Sequence, residues 1–212
     1  MKIIFTCLIL TISLSAQQSK LSKYVNYISA YIGSEDFNSL KNKIGDIAAT
    51  DSIYSVAAKA ADFHYSEALL ALMFATVPYR EVPVQIPLIN FVLNYPLLSA
   101  DEETFHKKNN KLPKYLFLDS PSSDYGDKDK LAHFFGSAFL SYESRFFDLG
   151  ELIGYFVEAF EESFKVQSAI DYRDLDVNEY GRLFGKILKE DKTILPSQII
   201  FLRSLRYIRI IL

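Results

Sequence analysis

Apolar residues recur every three or four positions between residues 19 and 78, and this spacing predicts helices. In the segment 19–33 the apolar residues share one helical face: Leu21, Tyr24, Val25, Ile28 and Ile32. Ser34 precedes Glu35 and Asp36, which is the pattern of a helix N-cap followed by an acidic first turn. The sequence therefore predicts a second helix that begins directly after Ser34.

Two further segments complete this N-terminal helical region, which we place at residues 17–78. A third helix is expected to start at Asp51 or Ser52. The segment 64–75 is almost continuously apolar, so its pattern is compatible with a fourth helix or with a buried strand.

The pattern changes to strict alternation after residue 79, which is typical of β-strands. The alternating residues form two runs of shifted phase: Val82, Val84, Ile86 and Leu88, then Phe91, Leu93, Tyr95 and Leu97. Pro83, Pro87 and Pro96 cannot donate backbone hydrogen bonds, so we expect edge strands or extended loops. The polar segment 101–115 is predicted to be a loop. The segment 120–129 is predicted to be a turn-rich linker, and residues 79–126 together form an extended region.

Helical spacing returns over residues 127–212, and no stretch of about 18 uncharged apolar residues predicts a membrane span there. The sequence thus predicts a mainly α protein. It combines a bundle-like C-terminal domain, an N-terminal helical region and a short extended segment.

Residues 1–16 have the features of an export signal. Lys2 precedes an apolar run from Ile3 to Leu14, and small residues follow up to Ala16. We expect cleavage after Ala16 or one residue earlier; the alternative is a buried N-terminal helix. Cys7 is the only cysteine and lies inside the apolar run, so the mature chain would contain no disulfide and no thiolate metal site.

The 212-residue chain has a formal net charge of −3, and 50% of its residues are hydrophobic. Such a balance is that of an ordinary globular protein and gives no chain-wide basic field for nucleic acid. The C-terminal tail differs, because six basic and two acidic residues follow position 185. Arg203, Arg206 and Arg209 are spaced three apart. This spacing indicates either a helix packed on the domain with a basic rim, or a helix lying on an anionic membrane surface.

The first candidate site residues start a predicted helix at residue 129. Asp129 and His133 lie one turn apart on one face. Asp127 or Asp129 could simply cap this helix; alternatively, the carboxylate of Asp129 could orient the imidazole or share a cation with it.

A second helix is predicted from about 148 to 165, with Glu158, Glu161, Glu162 and Lys165 in one sector. This acidic face could point to solvent or turn inward toward His133, where the carboxylates would raise one another's pKa.

A third stripe follows in residues 171–185, where Asp171 fits a helix N-cap. Asp174, Asn178, Gly181 and Gly185 share a narrow stripe of this helix. Glycine inside a helix costs about 1 kcal/mol relative to alanine, so two on one face predict close helix packing. The expected packing partners are the small residues of the His133 helix: Gly136, Ser137 and Ala138.

Taken together, Asp129, Lys130, His133 and Phe134, the pair Glu158 and Glu161, and the Asp174-to-Gly185 stripe resemble the VanZ-like family. They resemble equally its YfiM-like periplasmic relatives. The resemblance covers about residues 127–186 and implies a helical architecture. The family is best known for a link to glycopeptide resistance, and the resemblance predicts an architecture rather than a reaction. Two features depart from the family: the helices carry more charge than membrane-spanning members, and Glu161 replaces the usual glutamine.

No P-loop, GxGxxG, GxSxG or HExxH motif is present in the sequence, and the only histidines are His64, His106 and His133. We therefore expect an exported, periplasmic or membrane-peripheral envelope protein with a structural or interaction role and no cofactor. An envelope protein or the membrane surface would be its partner, through the basic tail. The alternative is a metal-dependent or acid/base hydrolase, in which a divalent cation could bind at Asp129, His133, Glu158, Glu161, Asp174 and Asn178.

Overall fold

The computed structural model describes residues 19–86, 91–143 and 172–206. Within these ranges the protein forms eight helices and one two-stranded sheet, so the predicted mainly α fold is confirmed. The elements are α1 (Lys20–Ile32), α2 (Glu35–Ile44), α3 (Asp46–Ala60), α4 (Tyr65–Thr76), β1 (Glu81–Ile86), β2 (Phe91–Pro96), α5 (Glu102–Lys111), α6 (Lys130–Tyr142), α7 (Tyr172–Glu190) and α8 (Pro196–Leu205).

Several predictions concern residues outside these ranges. They are the export signal at 1–16, Pro87 and Leu88 of the first alternating run, the acidic helix with Glu158 and Glu161, the N-cap at Asp171, and Arg209.

The N-terminal helices begin largely where their capping residues predict. The Ser34 hydroxyl accepts a hydrogen bond from the Phe37 backbone N–H at 3.1 Å, which confirms the cap of α2. The predicted start of α3 at residue 51 or 52 is wrong, because α3 already begins at Asp46, directly after Gly45. The apolar segment α4 is a helix and not a strand. Most of its residues are buried, which explains why no polar face marks it in the sequence.

The two alternating runs form an antiparallel hairpin, in which Glu81 pairs with Pro96 and Pro83 pairs with Asn94. Each strand of a two-stranded sheet has an open edge, so a proline can face that edge without breaking the ladder. The prediction of edge strands is thereby confirmed for Pro83 and Pro96.

The prediction that segment 101–115 is a loop is wrong, because much of this segment forms helix α5. The Asp101 carboxylate accepts a hydrogen bond from the Thr104 backbone N–H at 3.0 Å and caps it. Lys108 is 1% exposed, and its ammonium donates to the Val77 carbonyl at the end of α4. Burial lowers the pKa of Lys108 to about 7. The negative end of the α4 dipole favours this cation, and the contact fastens α5 to α4.

Helix α4 lies against α1, α3 and α6, while α6 also packs along α7. The core between them is apolar and rich in phenylalanine; its largest buried side chains include Phe37, Ile53, Leu69, Leu72, Phe134, Phe135 and Phe184. Asp51, on α3, accepts hydrogen bonds from the backbone N–H and hydroxyl of Ser197 at 2.8 and 2.5 Å. A carboxylate from one helix thus caps another, α8, that is distant in sequence.

The C-terminal segment is helical as far as Leu205, but its arginines do not all form a basic rim. Arg203 is only 1% exposed, and its guanidinium donates to both Asp119 oxygens at 2.5 and 2.9 Å. Arg206 is exposed and pairs with Asp176 at 2.8 Å. Within the described ranges, none of the helices combines the length and apolar character needed to cross a membrane.

Candidate polar site between α6 and α7

Two glycines bring the backbones of α6 and α7 together. A Cβ atom on Gly181 would overlap the Phe134 carbonyl oxygen, and one on Gly185 would overlap the carbonyl oxygen of Ala138. Only glycine permits this approach, since carbonyl oxygens of the backbone cannot rotate away as side chains do. The predicted glycine-mediated contact is therefore confirmed for these two positions.

Gly136 has a different neighbour from the one expected. A Cβ atom there would meet the Met73 sulfur at 2.9 Å, on α4 rather than on α7. The prediction that Gly136 packs against the α7 glycines is therefore wrong. Ser137 and Ala138, next to it, do face α7: the Ser137 Cβ would lie 3.0 Å from a Cβ on Gly181.

Because the helices are so close, polar side chains of α6 meet Asn178 and Asp174, which lie one and two turns before Gly181 on α7. His133 is 1% exposed, and its Nδ1 lies 3.2 Å from the Asn178 side-chain oxygen Oδ1. Ser137 donates its hydroxyl hydrogen to the same oxygen at 2.9 Å. An amide oxygen only accepts hydrogen bonds, so His133 carries its proton on Nδ1. Its other nitrogen, Nε2, lies 3.5 Å from Asp174 Oδ1.

A lysine lies between the two carboxylates of the site. The Lys130 side chain is 4% exposed, and its ammonium is 2.5 Å from Asp174 Oδ1 and 3.3 Å from Asp129 Oδ2. Asp129 and Asp174 are themselves 18% and 17% exposed. Two carboxylates thus share one ammonium at a site largely removed from water.

Burial is the largest influence on the titration of this site. It lowers the pKa of the His133 imidazole, against the opposing effect of Asp174 and Asp129, and it raises the pKa of the Asp129 carboxyl. It also raises the pKa of the Tyr79 and Tyr125 hydroxyls, with the charge of Asp129 acting in the same direction. Each shift favours the neutral form, which is the response expected where water is excluded.

Of the predicted site residues, Asp129, His133, Asp174 and Asn178 converge. Glu158 and Glu161 lie outside the described residues. The expectation that Asp127 or Asp129 caps α6 is wrong: Asp129 occupies the N-cap position, but its side chain makes no cap hydrogen bond. Its carboxylate is directed to Lys130 instead.

Asp127 belongs to a second polar network, which joins the turn region before α6 to α7. It is 0% exposed, accepts hydrogen bonds from the Leu116 backbone N–H at 3.1 Å and from the Ser120 hydroxyl, and pairs with Arg173 at 2.5 Å. Arg173 also pairs with Asp119, at 3.3 Å, and Asp119 in turn holds Arg203 of α8.

Three features of the site are not predicted by the sequence pattern: Ser137 as a hydrogen-bond donor, Lys130 as an ion-pair partner, and the Asp127–Arg173 pair. Lys130 could have been found, since a lysine directly after a carboxylate at a helix start can reach back to it. The Asp127–Arg173 pair joins a turn to a helix 46 residues away, and no periodic pattern marks it.

No family model, no curated protein and no solved structure matches this chain. The resemblance to VanZ-like and YfiM-like proteins therefore stays a prediction from the motif residues.

Proposed function

We propose that the protein is an exported helical protein of the cell envelope, periplasmic or peripheral to the membrane, with a structural or interaction role. One observation carries the structural part of this proposal. The partly buried carboxylates of Asp129, at the start of α6, and Asp174, on α7, share the ammonium of Lys130, and this ion-pair network links α6 to α7.

Electrostatics explains why such a site would be structural. A buried ion pair adds little net stability compared with an apolar pair, but removing one partner costs about 3–5 kcal/mol, since a buried charge is then left alone. His133, Ser137 and Asn178 add hydrogen bonds with fixed directions. The network therefore stabilises one register of α6 relative to α7, because in other registers these polar groups would lose their partners.

We expect His133 and Asp174 to be energetically coupled. In a double-mutant cycle of His133→Ala and Asp174→Ala, unfolding by urea should reveal a coupling of about 0.5–3 kcal/mol, as for other polar residues in contact. The structural reason is the 3.5 Å separation of Nε2 and Oδ1 together with their shared neighbour Lys130.

The matched control pairs His133→Ala with Glu103→Ala, an exposed carboxylate on α5 that is joined to Lys107 instead. These two changes should be additive. Additivity in the His133–Asp174 cycle as well would contradict a structural role for the site.

The export part of the proposal makes a separate prediction. N-terminal sequencing of protein recovered from the native envelope should begin near Gln17, since residues 13–16 supply the small residues that signal peptidases require. Protein that retains Met1 and is found in the cytosolic fraction would contradict export.

The interaction part rests on the surface of α8. Phe201 and Leu205 of α8 are 55% and 43% exposed, and the exposed Arg206, which pairs with Asp176, is the C-cap of this helix. Apolar and basic side chains on one helix favour contact with an envelope protein or an anionic membrane surface. Arg203 takes no part in this surface because it is buried against Asp119.

A metal-dependent hydrolase is the second candidate. One observation favours it: Asp129, His133 and Asp174 can each offer a ligand atom, and these atoms lie within 4.8 Å of one another. Hydrolysis at this site would need a bound cation to polarise the substrate or to activate water.

A further inference from the structure

We propose that Asp129, His133 and Asp174 form a binding site for a divalent transition-metal ion such as Zn²⁺, which enters by displacing the ammonium of Lys130. This inference extends the structural role, which needs no metal, and it is the condition on which the hydrolase candidate depends. The site contains one imidazole nitrogen and two carboxylates. That mixed N/O donor set suits Zn²⁺ or Mn²⁺ better than Ca²⁺ or Mg²⁺, which prefer oxygen alone.

The spacing of the donor atoms supports this assignment. Two ligands about 2.0–2.1 Å from a zinc ion, at the tetrahedral angle, are separated from each other by about 3.3–3.4 Å. His133 Nε2 and Asp174 Oδ1 are 3.5 Å apart. A small rotation of either side chain would therefore place both at coordination distance from one ion. Asp129, the third ligand, is within 4.8 Å of both.

The orientation of His133 is the one that metal ligation requires. Asn178 Oδ1 accepts hydrogen bonds from Ser137 and from Nδ1 of His133, which fixes the imidazole tautomer. Metal-binding histidines characteristically donate their second ring N–H to a fixed acceptor in this way. In the neutral tautomer the lone pair of Nε2 is on the side of the Asp174 carboxylate. The Nε2 lone pair and the Asp174 carboxylate are both electron-rich and lie close together, so a cation between them would stabilise both.

Asp129 provides a further acceptor. Its Oδ1 is buried and has no hydrogen-bond partner within the described part of the chain, whereas its Oδ2 faces Lys130. Buried acceptors are normally satisfied, so this atom has an unused capacity to bind a cation.

Lys130 is the built-in competitor for this site. Its ammonium contacts the same two carboxylates that a metal ion would use, but it brings one positive charge where the metal brings two. The lysine side chain is long and has several rotatable bonds, so the ammonium can withdraw when an ion enters. Removing this lysine should therefore strengthen metal binding.

The three histidines of the chain allow a direct test on the purified full-length protein. Long-range ¹H–¹⁵N NMR spectra should show one imidazole, that of His133, changing at Nε2 upon addition of one equivalent of Zn²⁺. The signals of His64 and His106 should stay in place. In calorimetric titrations with Zn²⁺, His133→Gln and Asp174→Asn should each weaken binding by at least about tenfold, since even residues behind the ligands change affinity by 10–100-fold.

Three further variants make the titration specific. Lys130→Met should tighten Zn²⁺ binding by about tenfold or more, because it removes a positive charge near the ion. Asp176→Asn, a change of another carboxylate on α7 that pairs with Arg203 and Arg206, should leave the affinity unchanged. Lys107→Met on exposed α5 is the matched control for the lysine change.

The inference is overturned if neither the wild-type protein nor Lys130→Met binds Zn²⁺, or if His64 or His106 is the imidazole that responds. The NMR arm needs no variant, so the test does not depend on whether the substituted chains fold. The His133–Asp174 cycle is performed without metal. Coupling without zinc binding therefore refutes the metal site alone, while additivity with zinc binding refutes the structural role alone.

Discussion

Replacing Asp127 by alanine is expected to lower the free energy of unfolding by about 3–5 kcal/mol, the usual cost of removing one partner of a buried ion pair. Asp127 is fully buried and serves three donors at once: Arg173, the Ser120 hydroxyl and the Leu116 backbone N–H. Alanine would deprive the Leu116 N–H of its acceptor and Arg173 of its 2.5 Å contact with Asp127.

Urea unfolding of the variant provides the measurement, and two related changes sharpen it. Asp124→Ala removes an almost fully exposed carboxylate of the same turn region, 3.7 Å from Lys114, and should change stability by no more than about 0.5 kcal/mol. Asp127→Asn retains an acceptor oxygen but loses the charge, so its stability should lie between those of wild type and Asp127→Ala. A loss below about 1 kcal/mol for Asp127→Ala would show that the network does not hold the turn region to α7.

The sequence identifies most helices because each buries one face. Leu21 to Ile32 on α1 and the Ser34 cap of α2 are local signals, and the structure confirms both. The apolar pattern does not predict helix α5, because only Phe105 and Lys108 are buried among its ten residues, and two buried residues are too few to produce a periodic pattern. Its capping signal was present: Asp101 precedes two glutamates, and lysines occupy the last turn.

The start of α3 was misplaced for a different reason. Asp51 and Ser52 resemble a helix start, because aspartate and serine are frequent N-caps. In the folded protein Asp51 does cap a helix, but it is α8, through Ser197. The residue type alone predicts that such a side chain accepts hydrogen bonds from the backbone N–H groups of a helix start. Which helix it caps depends on the tertiary structure.

Within the candidate site, the residues predicted correctly lie on regular stripes. His133 meets Asn178 and Asp174 because the polar positions and the small positions of both helices recur with helical period, so the close glycine contact places the polar pairs opposite each other. Lys130 lies on the same face of α6, three residues before His133 and seven before Ser137, and its long side chain reaches Asp174. The Asp127–Arg173 pair depends on how the turn region folds back, which hydrophobic periodicity does not encode.

The glycine contact yields the second prediction of large effect. Gly181→Ala should lower the free energy of unfolding, because overpacking a tight contact usually costs about 1–3 kcal/mol. The added Cβ would overlap the Phe134 carbonyl oxygen, so α6 and α7 would have to move apart and the His133–Asn178 hydrogen bond would lengthen. Helix propensity opposes this cost, because alanine is favoured over glycine by about 1 kcal/mol, so the net loss should be about 0–2 kcal/mol.

Gly136→Ala separates the effect of overpacking from that of helix propensity. It makes the same substitution within a helix, but the added Cβ has a different neighbour. Its Cβ would meet the Met73 sulfur at 2.9 Å, and a methionine side chain can rotate where a backbone carbonyl cannot. We therefore expect Gly136→Ala to lose less stability than Gly181→Ala, or to gain up to about 1 kcal/mol from helix propensity. Urea unfolding of both variants in parallel provides the comparison. If Gly181→Ala lost no more stability than Gly136→Ala, backbone contact could not be the reason for glycine at this position, and another cause would have to hold α6 and α7 close enough for His133 to reach Asn178.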